Sequence, residues 1–130
     1  MEIAPIDHFA LTVTSIERTC NFLRRAVGMQ VQQFGSVTTS FTALSFGTQK
    51  RNLLQMDRIP DADVMRPTPG SADFCLITTV AMADVVAHLR GLGIPIIEGP
   101  IARTGALGAI ESIYIRDPDL NLVEIANYLR

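Results

Sequence analysis

The sequence predicts an α+β fold of two βαβββ modules in tandem. Three observations predict it: an internal repeat, an order of strand, helix and three strands that recurs in each half, and a Pro- and Gly-rich linker between the halves. Sliding the chain on itself by 65 residues superposes Asp7-His8-Phe9-Ala10-Leu11 on Ala72-Asp73-Phe74-Cys75-Leu76, and Arg25, Gly28 and Met29 on Arg90, Gly93 and Ile94. A shift of 69 superposes Asn52-Leu53-Leu54-Gln55 on Asn121-Leu122-Val123-Glu124. The repeat thus pairs His8 with Asp73 and Gln55 with Glu124, four side chains that bind metals through nitrogen or oxygen. If two copies pack about a pseudo-twofold axis, equivalent positions converge near it, and these four surround one ion.

The first module spans about residues 4–57. Ile6 to Val13 alternates with β-branched and aromatic residues and reads as a strand. Thr14-Ser15-Ile16-Glu17 offers a capping box with Thr14 as N-cap, and Ile16, Cys20, Leu23 and Val27 recur at helical spacing before Gly28, a residue that tolerates a left-handed stop. Strands follow over Met29 to Phe34, Thr39 to Phe46 and Arg51 to Met56. The segment of about residues 58–70 has linker chemistry, including Arg66-Pro67-Thr68-Pro69-Gly70.

The second module, about 71–130, repeats the order. Ala72 to Thr78 reads as a strand, and Met82, Val85, Val86, Leu89 and Leu92 form a helical stripe. Ile94 to Ile97 is a short strand, Glu98 to Gly108 a long Gly-rich connection, and Glu111 to Ile115 and Asn121 to Ala126 are the last strands. Within the first strand Phe9, Leu11 and Val13 share the face suited to a helix, so His8 lies on the other; Asp73 is separated from Phe74 and Leu76 in the same way.

The whole is one globular domain by size, since neither module of roughly 60 residues buries enough surface to stand alone. A composition of 48% hydrophobic and 18% charged residues excludes disorder. A net charge of −2 without a basic run argues against nucleic acid as a partner, and no apolar stretch reaches membrane-span length. The start Met1-Glu2-Ile3-Ala4-Pro5 lacks a signal-peptide pattern, so the cytoplasm is the expected location. Cys20 and Cys75 read as buried reduced thiols.

Paired modules of this order, with metal-competent residues at these places, resemble the vicinal oxygen chelate superfamily, which includes glyoxalase I, extradiol dioxygenases and bleomycin-binding proteins. Ile6-Asp7-His8-Phe9-Ala10-Leu11-Thr12-Val13 is similar to that superfamily's opening strand, and Ile115-Arg116-Asp117-Pro118-Asp119-Leu120-Asn121-Leu122-Val123-Glu124 to its closing motif. Pro67 to Thr78 and Glu98 to Ala106 resemble the branch called glyoxalase-domain-containing protein 5. The resemblance implies a metal held by His8, Gln55 and Glu124, with Asp73 where many members place a second His. It also implies a small-molecule substrate with adjacent oxygens and a homodimer.

The residues leave alternatives open. His8 is a ligand or an ordinary strand histidine. Glu124, flanked by Val123 and Ile125, needs a cation, a donor or a raised pKa if buried, and is the candidate proton carrier as well as a ligand. Gln55 ligates or bonds to the backbone. Asp73 ligates, supports a ligand or caps the linker. Arg103, Thr104 and Gly105 form a candidate substrate loop, because a guanidinium and backbone N–H groups hold oxyanions.

A site of these donors suits Ni, Mn, Co, Zn or Mg. It fits ferrous iron less well, because the only other histidine, His88, lies in the second helical stripe. The expected activity is therefore glyoxalase I-like lyase or isomerase chemistry, close to lactoylglutathione lyase. The alternatives are sequestration of an antibiotic-type molecule without catalysis, for which this chain offers no Trp and few spare aromatics, or an extradiol dioxygenase-like oxygenase.

Overall fold

The computed structural model describes residues 1–35, 40–58 and 64–129. The chain divides into two compact units, Met1–Gly70 and Ser71–Arg130. No helix among the described residues is long and apolar enough to cross a membrane.

In the first unit, β1 (His8–Val13), α1 (Ile16–Val27), β2 (Gln30–Gly35), β3 (Ser40–Phe46) and β4 (Gln49–Gln55) follow in order, and a single 3-10 turn covers Met56–Arg58. The sheet order is β1-β4-β3-β2, with β1 and β4 parallel and the other pairs antiparallel. The N-cap of α1 is Ser15 rather than Thr14: its Oγ accepts from the Arg18 N–H at 3.2 Å. The hydroxyl that wins is the one whose backbone is extended at the point where the helix begins. Glu17 in the first turn and Arg24 and Arg25 in the last complement the helix dipole, and Gly28 ends the helix at φ 67°. Helix α1 buries Cys20, Leu23 and Ala26, and the sheet face carrying Leu11, Val13, Leu44 and Leu53 is buried with it. Arg51 lies on this face too, fully buried, with its guanidinium 4.6 Å from the Phe9 ring centre.

The second unit repeats the plan with β5 (Asp73–Ile77), α2 (Met82–Gly91), β6 (Glu98–Gly105), β7 (Gly108–Arg116) and β8 (Leu122–Tyr128). Its sheet order is β5-β8-β7-β6, with β5 and β8 parallel. Met82, Val85 and Leu89 of α2 are buried, as are Ile113, Ile115, Val123 and Ile125 on one face of the sheet.

Three expectations are corrected here. Residues Ile94 to Ile97 form no strand, and Glu98 to Gly105 is a strand rather than a loop. Gly99 and Pro100, residues typical of loops, fit in β6 because it is an edge strand, where both are tolerated at a bulge. Cys20 is buried, but Cys75 is exposed.

The turn before β8 is tightly bonded. Asp117 Oδ1 accepts from the Asp119 and Asn121 N–H groups, and Asn121 Nδ2 donates to Asp117 Oδ2. Asn121 Oδ1 accepts from the Ala72 N–H at 2.8 Å, which ties the start of β8 to the start of β5. Leu120, exposed in this turn, holds φ 67°, a left-handed conformation unusual for a branched side chain.

Candidate functional site

Strand pairing places Cys75 opposite Glu124, Glu124 opposite Tyr114, and Tyr114 opposite Glu98. Paired residues share a face, so these four form one row across the second sheet on the side away from Ile113 and Val123. Asp73 lies two residues from Cys75 on the same side, and Ser112 two residues from Tyr114. Ser112, fully buried, donates its hydroxyl to Glu124 Oε2 at 2.6 Å. This satisfies part of a carboxylate that sits half-buried in an apolar strand.

Arg103 joins this face through a bulge. It follows Glu98 by five residues, an odd step that would put the two on opposite faces of a regular strand. The register shifts between Glu98 and Ile101, absorbing one extra residue and bringing both to the same side. Gly99 makes the shift possible: at φ 99° an added Cβ would clash with the Ser112 carbonyl oxygen. Arg103 Nε then donates to Tyr114 Oη at 3.1 Å, its NH2 to Glu98 Oε1 at 3.1 Å, and its NH1 to the Ala102 carbonyl. The guanidinium is committed to protein groups rather than held out for an oxyanion.

Of the other two residues expected to touch substrate, Thr104 pairs with Ala109 and turns to the opposite face. Gly105 makes room for Tyr128, whose hydroxyl accepts from the Leu107 N–H at the hairpin tip.

These contacts shift the ionisable groups. Partial burial, the Glu124 charge and hydrogen bond, and then Asp73 push the Cys75 thiol up to about 11, so an exposed cysteine is a poor nucleophile here. Tyr114 is raised by burial; the bond from Arg103 opposes that shift and the Glu124 charge adds to it. The bond to Tyr114 raises Arg103 further above its ordinary value.

In the first unit His8 opens β1 opposite Lys50, exposed, with Nδ1 2.7 Å from Asp7 Oδ2. A proton on Nδ1 donated to Asp7 leaves the Nε2 lone pair to coordinate, the arrangement that carboxylates give metal-binding histidines. Beside it an open polar depression of about 370 Å³ is lined by Asp7, Gln32, Ser45, Thr48 and Lys50 among others.

Gln55 is elsewhere. It pairs with Val13 at the far end of β1, five positions along from His8 and on the helix-covered face. Its Oε1 accepts from the Ile16 N–H at 3.0 Å, and its Nε2 donates to Asp57 Oδ1 at 2.9 Å. His8 and Gln55 are therefore not brought together. The equivalence of Gln55 with Glu124 is also corrected. His8 pairs with Lys50 and Asp73 with Leu122, so the true offset for β4 and β8 is 72, and the residue matching Glu124 is Asn52. Asn52 lies on the His8 face, and its buried Oδ1 accepts no hydrogen bond from the described residues.

A buried carbonyl oxygen without a donor is costly, and a cation or a ligand donor would satisfy it. In the first unit the donor types of His8 Nε2 and Asn52 Oδ1, and in the second those of Asp73 and Glu124, each suit a divalent ion of borderline or hard character. Among the described residues no three His, Cys, Asp or Glu side chains gather as a ready-made metal cluster. Sequence reading missed Asp7, Asn52, Ser112 and Tyr114. The pairing register is what brings the last three into view.

A profile of the Glyoxalase/Bleomycin resistance protein/Dioxygenase superfamily matches residues 5–125. The chain is 47% identical to virulence protein STM3117 of Salmonella typhimurium over 99% of its own length and 88% of that protein. The crystal structure of that relative superposes with a TM-score of 0.93, covering 99% of this chain and 100% of the other. A glyoxalase domain-containing protein, RDO1 of Mycosarcoma maydis, is 41% identical over 98% of this chain and 70% of its own. At 20% identity, a lactoylglutathione lyase from Agrobacterium tumefaciens shares the fold with a TM-score of 0.73, covering 97% of this chain and 95% of that one. So does the antibiotic-binding TnmS3 of Streptomyces at 19% identity and 0.75, covering 99% of each chain.

Proposed function

The chain belongs to the Glyoxalase/Bleomycin resistance protein/Dioxygenase superfamily, and from that premise we propose a metal-dependent lyase or isomerase acting on a small substrate with two adjacent oxygens. One observation carries the reading. Glu124 is a half-buried carboxylate fixed by the Ser112 hydroxyl, and it shares an open sheet face with Asp73. A carboxylate so held is suited to coordinate an ion or to move a proton on a bound carbon acid.

In the second unit Asp73 and Glu124 would hold the metal, and in the first His8 and Asn52 are the donors suited to one. When bound, it would act as a Lewis acid towards substrate oxygens. With Nδ1–H donating its hydrogen bond to Asp7, His8 presents the Nε2 lone pair. Glu124, oriented by the Ser112 hydroxyl, accepts and returns the substrate proton. Arg103 keeps Tyr114 in place beside Glu124 and leaves substrate contact to other groups.

A lactoylglutathione lyase shares the fold, and its activity is the one we propose to test first. We place the protein in the cytoplasm as a homodimer, and light scattering should give about twice 14.2 kDa. The test of function combines two measurements on protein purified without chelator: bound divalent metal, and S-lactoylglutathione formation before and after a chelator. Stoichiometric metal, with turnover that the chelator removes, supports the reading. A protein without metal that binds small molecules but turns nothing over supports sequestration instead.

A further inference from the structure

We propose that Ser112 and Tyr114 are positioning residues for Glu124, and that the Gly99 bulge exists to hold Tyr114 in that task through Arg103 and Glu98. The inference rests on the metal-dependent reading given above. Ser112 donates to Glu124 Oε2 at 2.6 Å, which fixes one carboxylate oxygen. Tyr114, almost fully buried, stands opposite Glu124 in the strand register. Its oxygen already accepts the Arg103 Nε–H, so its own hydrogen is directed away from Arg103 and is available to the neighbouring carboxylate. Arg103 is in turn held by Glu98, and only the register shift at Gly99 lets Glu98 and Arg103 meet on one face.

Such a chain of donors places the Ser112 and Tyr114 hydroxyls in the interior and requires glycine at a crowded, positive-φ position, and a sheet whose only task was packing would gain nothing from it. The first unit omits the arrangement: Ala43 stands where Tyr114 would be, and its β2–β3 register runs without a shift. Groups that orient a ligating carboxylate change metal affinity by about 10–100-fold when removed.

Calorimetric titration of the full chain with Mn²⁺ or Co²⁺ reads this directly. Ser112→Ala is expected to weaken binding about 10–100-fold, whereas Ser112→Thr, which keeps the hydroxyl, retains most of it. Tyr114→Phe weakens binding in the same direction and Glu124→Gln abolishes it. Metal-free melting of each variant separates positioning from folding, since affinity must fall in variants that still melt cooperatively near the wild type. Wild-type binding with unchanged affinity in both Ser112→Ala and Tyr114→Phe overturns the inference while leaving the proposed function intact. A wild-type chain that binds neither ion overturns the proposed function itself, and the inference with it.

Discussion

Across the helix-free face of the first sheet runs the row Gln32, Ala43, Asn52 and Ala10; the equivalent row of the second sheet reads Glu98, Tyr114, Glu124 and Cys75. One is small and uncharged, the other bulky, titratable and cross-bonded. The two sheets have the same strand order and the same parallel pair, so topology does not explain the contrast. It arises from four substituted positions and one inserted residue. Two copies of a module can thus keep one fold while one carries a titratable, cross-bonded face and the other a quieter face that includes His8 and Asn52.

The largest expected effect comes from removing the inserted kink. Gly99→Ala forces a Cβ against the Ser112 carbonyl oxygen at a positive φ, and urea denaturation should register a loss of about 2–5 kcal/mol. A change below 0.5 kcal/mol would mean that the second sheet does not depend on the bulge, and the contrast with the first would lose its cause.

Next is the thiol that replaces Ala10. With its pKa at about 11 rather than the ordinary 9, Cys75 at pH 8 should alkylate about 100-fold more slowly than an unshifted cysteine. Glu124→Gln should accelerate it, and peptide mapping keeps its signal apart from that of buried Cys20. The sign for stability follows from the raised value. The contribution is fully present below pH 9 and is lost as pH rises through 11. Equal rates in the wild type and Glu124→Gln would show that the row is not electrostatically coupled.

A smaller effect separates the two roles considered for Gln55. Gln55→Ala removes the acceptor for the Ile16 N–H and should cost about 1 kcal/mol, leaving metal content unchanged. Loss of metal in this variant would return Gln55 to the ligand set. Smallest of all, Leu120→Gly relieves a left-handed, exposed position and should raise stability by about 0.5–1 kcal/mol in thermal melts.

Much of the fold was readable because it is written locally. Gly28 ends α1 as a left-handed stop should, and period-two alternation placed Leu11 and Val13 inward and His8 outward. The site was less readable because it depends on register. Asn52-Leu53-Leu54-Gln55 resembles Asn121-Leu122-Val123-Glu124 as a string, but hydrogen-bonded pairing moves the match by three positions. An odd slip turns every side chain to the other face, which carried Gln55 to the helix side and left Asn52 unnoticed. Charge singles out Arg103, but its bonds to Tyr114 and Glu98 depend on the register. Nothing in the residue string announces that Glu98 five positions earlier turns to the same side.

The extra residue at Gly99 also bears on how such a surface is acquired. Point substitutions alone, made in a faithful copy of the first module, would leave the counterparts of Glu98 and Arg103 on opposite sides of their strand. A one-codon insertion changes the side of every residue beyond it at a stroke. Anyone wishing to build the same clamp on β2 would need to lengthen that strand by a residue, with glycine at the crowded point, before any choice of side chain mattered.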